Sequence, residues 1–317
     1  MDPELAAGLP YVPDPDFADV DGARAVFDEL LARIPPPKLD GVRFEERHIP
    51  GAAGGPDVPV RIFAPEGATD ARPGIVDIHG GGFVVSSAAL DDGLNARIVR
   101  ELGVVVVSVD YRRAPEHPFP AAAEDCHAAL RWLASSAAEL GVDPDRLAVL
   151  GDSAGAGIAA TTALFARDRG GPALAMQVLI EPVLDDRLQT HSMVTGTDTE
   201  VWHRANAVVS WQHYLGGAQA TPYAAPARME DLGGLPRTYL TVNELDPLRD
   251  EGLEYAQRLL TAGVSTELHC WPGAYHGFIM VPTAVVTKRA LAALVDAIGR
   301  GLGVSVDGRP SSGPRKD

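Results

Sequence analysis

Short runs of consecutive apolar residues alternate along this chain with longer stretches whose apolar positions recur at helical spacing. Runs too short for a helix and apolar throughout mark strands buried on both faces, and the helical stretches between them cover a sheet. "VRFEERHIP" and "VPVRIFAP" read as early strands joined by the glycine-rich turn "GAAGGPD". "GIVDI", "VVVVSVD", "LAVL", "LAMQVLI", "RTYLTV" and "TELHCW" read as the buried strands that follow. Helices are predicted over about Leu90–Leu102, Ala121–Leu140, Ala156–Arg169, Pro247–Ala262 and Ala284–Leu302. The alternation predicts an α/β fold, with a mostly parallel central sheet flanked by helices.

Two regions interrupt it. Residues 1–45 carry the helical pattern "DGARAVFDELLARI" and the stop "PPP" before any strand. Residues 185–222 hold Met193, Trp202, Trp211 and Tyr214 without a clear strand, and their helical part "RANAVVSWQHYLGG" ends on a glycine pair. Both read as insertions able to pack together over the sheet. The core is then expected from residues 46–184 and 223–303. The tail "DGRPSSGPRKD", within 304–317, has the composition of a disordered segment.

The chemistry begins at "LAVLGDSAGAG". Gly151-Asp152-Ser153-Ala154-Gly155 matches G-x-S-x-G. The pentamer alone is weak, but a strand runs straight into it and a helix runs straight out, which is the context of a nucleophile elbow. Such a turn exposes Ser153 Oγ at the C-terminal edge of the sheet and points the Ala154 N–H into the same space. A serine hydroxyl needs a base, and of nine histidines His276, in "WPGAYHGF" after the last strand, stands where this fold places one. His269 lies inside the strand "TELHCW" and reads as structural. The orienting acid belongs after "RTYLTV", where "NELDPLRDEG" offers Glu244, Asp246, Asp250 and Glu251. Asp246, read as a helix N-cap before Pro247, is favoured, with Glu244 second. Asp250 and Glu251 read as exposed charges in the first helical turns.

"DIHGGGFVVSS" places His79-Gly80-Gly81-Gly82 directly after a strand. Three consecutive glycines weaken strand and helix alike, and suit a loop whose N–H groups approach a ligand. Opposite a serine elbow they can hold the negative oxygen that develops in acyl transfer.

Composition narrows the classes. Lys and Arg number 27 against 43 Asp and Glu, a formal charge of −16, and the pI is near 4.9. Such a surface repels phosphate backbones, so nucleic acid is not an expected partner. The start "MDPELAAGLPYVPDPDF" lacks the features of a signal peptide, and no apolar segment reaches the roughly 18 residues of a membrane span. A cytoplasmic location is expected. The two cysteines, Cys126 and Cys270, are too few for a disulfide framework or a zinc site and read as plain thiols.

"HGGGF", "VDYRRAPEHPFPAA", "GDSAGAG", "EPVLDD", "DPLRDEG" and "YHGF", spread over about residues 75–280, resemble the hormone-sensitive-lipase-like branch of the α/β-hydrolases, which includes many bacterial carboxylesterases. The resemblance implies Ser153 as nucleophile, His276 as base, Asp246 as acid, and the N–H groups of Gly81, Gly82 and Ala154 as an oxyanion hole. It implies a cap of residues 1–45 and 185–222 over an apolar acyl pocket, a small ester as substrate, and neither metal nor cofactor. Tyr111 and Arg112 look like scaffold beside the site. Two departures stand out: Ala156 where similar sequences carry glycine, and Glu181, before Pro182, where they commonly carry an uncharged residue. A dinucleotide fingerprint, Gly155-x-Gly157-x-x-Ala160, lies too far beyond its strand to serve as one. A non-catalytic small-ligand receptor on the same scaffold is the rival reading, amidase or lipase action the neighbouring ones. A homodimer is left open.

Overall fold

The strands are β1 (Val42–Ile49), β2 (Val58–Pro65), β3 (Arg72–Ile78), β4 (Val105–Val109), β5 (Val142–Asp152), β6 (Met176–Ile180), β7 (Arg237–Asn243) and β8 (Thr266–Trp271). They form one sheet in the order β1-β2-β4-β3-β5-β6-β7-β8. β1 and β2 pair antiparallel, as do β2 and β4, and every later pair is parallel. The computed structural model describes residues 1–196 and 199–305.

The helices are α1 (Pro3–Gly8), α2 (Val20–Arg33), α3 (Asp92–Leu102), α4 (Ala121–Ser135), α5 (Ala137–Leu140), α6 (Ala154–Asp168), α7 (His191–Thr195), α8 (Arg204–Leu215), α9 (Arg249–Thr261) and α10 (Val285–Leu302). Strand side chains alternate between two cores, as the pleat requires. Val105, Val107 and Val109 face the core that α4, α6 and α9 cover. Val104 and Val106 face the one beneath α3 and α10. β4 is apolar on both sides because both sides are covered. Among the described residues no helix is long and apolar enough to cross a membrane.

Three boundaries differ from the periodicity. The helix expected over Ala121–Leu140 breaks at Ser136 into α4 and α5. The elbow helix starts at Ala154, directly after Ser153. α9 starts at Arg249, not at Pro247, so Asp246 is not its N-cap; its Oδ1 accepts from the Leu248 N–H at 2.9 Å, a turn earlier. Of the tail, Val304 is buried and donates to the Gly299 carbonyl at 2.9 Å. Residues 306–317 lie outside the described ones.

The N-terminal segment and the 185–222 region meet over the C-terminal edge of the sheet. Asn206 on α8 accepts from the Phe17 N–H at 3.4 Å and donates to the Pro15 carbonyl at 3.0 Å. His213 bonds the Phe17 carbonyl at 3.2 Å. The Phe17 ring meets Trp202 edge-on at 5.3 Å. A buried polar side chain that satisfies two backbone groups of a distant segment fixes that segment more strongly than apolar contact alone.

Candidate active site

Four parallel strands end at one place and deliver one polar side chain each, or the loop that carries it. Ser153 follows β5 at φ +55°, a conformation rare for a residue with a Cβ. Its N–H donates to the Ile180 carbonyl at 2.8 Å, and its own carbonyl accepts from the Val183 N–H at 3.1 Å. These bonds to the end of β6 hold the strained turn.

The turn also needs glycine at 155. A Cβ there would lie 2.0 Å from the Ile78 carbonyl oxygen and 2.4 Å from that of His79. Both are backbone atoms of the neighbouring strand and its loop, which cannot swing away as a side chain can. Gly155→Ala is expected to destabilise the fold by on the order of 3 kcal/mol or more, the upper end of overpacking costs. Chemical denaturation measures it, and a curve superimposable on the parent's would contradict the close-approach argument.

Ser153 donates its hydroxyl proton to His276 Nε2 at 2.8 Å, while His276 Nδ1 donates to Asp246 Oδ2 at 2.8 Å. The second bond fixes the tautomer, leaving Nε2 with the lone pair that faces the serine. All three residues are buried. Glu244, the second choice for the acid, is exposed and accepts from the Gly273 N–H at 2.6 Å. His269 sits on edge strand β8 with Glu267 at 2.9 Å.

The glycine loop lies against the elbow. Gly80 is close enough that a Cβ on it would be 3.5 Å from Ser153 Cβ. Gly81 has φ +114°, and a Cβ would stand 2.4 Å from the Val85 carbonyl, so only glycine serves there. That carbonyl neighbourhood is built by Val84 and Val85, whose N–H groups both return to the Gly81 oxygen. The Gly81 and Gly82 N–H groups have no backbone acceptor among the described residues, and Ala154, the first residue of α6, has none within its helix. His79 is buried with its ring stacked on Tyr111 at 4.2 Å. Burial, partly offset by its contact with the Gly80 carbonyl, lowers its pKa to about 4 and keeps it neutral. The Tyr111 hydroxyl donates to the His79 carbonyl at 2.9 Å. Arg112 pairs with buried Asp125 at 2.7 Å, so both residues are scaffold.

The aromatic residues of the 185–222 region are all buried. Trp202 is 5.7 Å from the His276 ring, centroid to centroid. Tyr214 stacks on Phe83 at 3.9 Å, and Trp211 lies 5.5 Å from the same ring. Trp202 therefore borders the site directly, whereas Trp211 and Tyr214 pack behind the glycine loop.

Of two further carboxyls, one differs from the sequence reading. Glu251 is buried rather than exposed, and accepts from the Leu184 and Asp185 N–H groups at 2.6 and 3.2 Å. It pins the segment after β6. Glu181, the charged departure before Pro182, is buried, and its Oε1 lies 3.8 Å from His276 Nδ1. Glu181 Oε1 accepts from the Gly277 N–H at 2.7 Å, and Oε2 accepts from Asn243. Burial raises the Glu181 pKa well above the usual carboxyl range, with repulsion from Asp152 and Asp246 adding to it against the pull of His276. Burial opposes charge on His276 as well, but the Asp246 and Glu181 carboxylates outweigh it and raise its pKa above the ordinary imidazole value. Asp246, Glu181 and His276 place their donor atoms within 4.8 Å of one another, in principle a metal-ligand set. In this arrangement both His276 nitrogens are already hydrogen-bonded to protein groups.

Of the residues expected at the site, the structure brings Ser153, Asp246 and His276 into one hydrogen-bonded line, with the Gly81–Gly82 loop beside it. Glu181 stood out in the sequence only as a departure from its relatives' pattern. Its contact with His276 was not legible there, because β6 and the loop after β8 are far apart in the chain.

A family model described as an alpha/beta hydrolase fold matches residues 75–280. The carboxylesterase NlhH of Mycobacterium tuberculosis is 40% identical over 94% of this chain and 96% of its own length. A solved bacterial heroin esterase is 49% identical, with a TM-score of 0.92 over 95% of this chain and 98% of that one. The esterase LipW of Mycobacterium marinum is 39% identical with a TM-score of 0.87, covering 95% and 96%.

Proposed function

The chain belongs to the α/β-hydrolase family, in its hormone-sensitive-lipase-like branch, and from that premise we propose that it is a serine carboxylesterase acting on short- to medium-chain acyl esters. The observation that carries the reading is the unbroken line Ser153–His276–Asp246, with hydrogen bonds of 2.8 Å on each side of the imidazole. The esterase names of its relatives support the reaction class.

In this reading Ser153 Oγ attacks the ester carbonyl as its proton passes to His276 Nε2. The charge that grows on the carbonyl oxygen is met by the N–H groups of Gly81, Gly82 and Ala154. His276 then returns the proton to the leaving alkoxide, and water, activated by the same base, hydrolyses the acyl-enzyme. Asp246 holds the imidazole in the tautomer this sequence needs and offsets the imidazolium charge. No step calls for a metal or cofactor. Residues 1–45 and 185–222 act as a cap over the acyl pocket, with Trp202 as one of its walls, on a catalytic core of residues 46–184 and 223–303.

Titration with a serine-reactive organophosphate tests the reading. One covalent adduct per chain is expected, located on Ser153 by peptide mass spectrometry, with parallel loss of activity toward an aryl acetate. An unlabelled Ser153 would overturn the enzyme reading and favour the receptor alternative.

A further inference from the structure

The buried carboxyl of Glu181 has no part in the triad as described, yet it stands 3.8 Å from the nitrogen that Asp246 serves. We infer that Glu181 is a second, reserve acid for His276, a positioning residue able to take over the Nδ1 hydrogen bond when Asp246 is lost. The inference rests on the triad reading above.

Three observations carry it. The first is placement: β6 and β7 are neighbours in the sheet, and each ends in a carboxylate that converges on the same imidazole edge, Glu181 directly after β6 and Asp246 three residues beyond β7. The second is support. Glu181 holds φ +39°, and its N–H donates to the Thr241 carbonyl at 2.9 Å. Its oxygens accept from Asn243 and from the Gly277 N–H, the residue next to His276. It therefore sits on a built platform and moves with the loop that carries the base. The third is charge. Asp152, at the end of β5, repels charge on Glu181, as Asp246 does. The titratable groups facing Glu181 are Asp152 at the end of β5, Asp246 beyond β7, and His276 beyond β8.

With Asp246 present, its Oδ2 accepts the Nδ1–H at 2.8 Å while Glu181 stands 3.8 Å away. With Asp246 removed, one source of the repulsion that opposes charge on Glu181 is gone. Glu181 is then the carboxyl left beside Nδ1, 3.8 Å away and placed to accept its N–H. A shift of about 1 Å brings 3.8 Å to hydrogen-bond length.

A double-mutant cycle decides the matter, with kcat and KM measured for the parent, Glu181→Gln, Asp246→Ala and the double variant. Glutamine keeps an oxygen for the Gly277 N–H but cannot be a carboxylate. Glu181→Gln alone is expected to lower kcat a few-fold. Asp246→Ala is expected to lower it by about 10²- to 10³-fold, less than the roughly 10⁴-fold usual for loss of a triad acid. In the Asp246→Ala background, Glu181→Gln is expected to cost at least a further tenfold, in kcat with KM unchanged. A few-fold cost in both backgrounds would make Glu181 a structural residue and overturn the inference while leaving the triad intact. An Asp246→Ala variant with parental kcat and an unchanged response to Glu181→Gln would overturn the triad assignment itself. Thermal melts of all four proteins separate loss of fold from loss of chemistry.

Discussion

Ser153→Ala is expected to lower kcat for an aryl ester by about a millionfold, the cost of removing the nucleophile from a working triad. In the proposed mechanism the loss falls on kcat, because the substitution leaves in place the N–H groups of Gly81, Gly82 and Ala154 that are proposed to meet the carbonyl oxygen. A residual rate above the uncatalysed one is expected from those donors alone, since they stabilise charge wherever the attacking oxygen comes from. The fold should change little, because alanine carries the same Cβ and keeps the strained φ of +55° at this turn. Initial rates at saturating substrate, with the melting temperature as control, check both statements. A Ser153→Ala protein within a hundredfold of the parent would require a different nucleophile.

His276→Ala is expected to cost about as much, since an unactivated serine hydroxyl is almost no nucleophile at neutral pH. It differs from the first variant in its pH dependence. The parent base must be neutral to accept the Ser153 proton, so kcat/KM rises with pH as His276 loses its own. The Asp246 and Glu181 carboxylates raise the His276 pKa, so the midpoint of that rise lies on the alkaline side of the ordinary imidazole value of about 6.5. The residual rate of His276→Ala should lack this limb and follow hydroxide instead. A parent profile flat between about pH 5 and about pH 9, or a limb retained in the variant, would show that another group is the base. Because two buried carboxyls, Asp246 and Glu181, face this one ring, the apparent pKa belongs to the cluster and not to His276 alone.

Much of this molecule was legible in the order of its residues. Strands apolar on both faces can only be the inside of a covered sheet, so β3 through β7 followed from hydrophobic runs. G-x-S-x-G between a strand and a helix located Ser153, and chain order then selected His276 and Asp246 from nine histidines and a crowd of carboxylates. These features are local, or follow from the single rule that parallel strands deliver their C-terminal ends to one edge.

Local rules failed where a neighbour distant in sequence took over. Asp246 looked like the cap of α9 because a proline follows it; the helix instead begins at Arg249, and Asp246 turns its second oxygen to His276. Glu251 had the pattern of an exposed first-turn charge, but the segment after β6 closes over it and supplies two N–H donors. The sequence also left open whether Trp202, Trp211 and Tyr214 line a pocket or fill a core. Packing separates them, with Trp202 against His276 and the other two against Phe83.

By itself, then, the sequence determined the sheet and singled out Ser153, His276 and Asp246, which the fold brings into one hydrogen-bonded line, because periodicity and turn chemistry act over a few residues. The tertiary structure alone decided that the buried Glu181 carboxyl stands 3.8 Å from the imidazole nitrogen that serves Asp246. The charge state of a buried carboxyl depends on which groups surround it in space, and the strands and loops that bring those groups together are joined by folding, not by the chain.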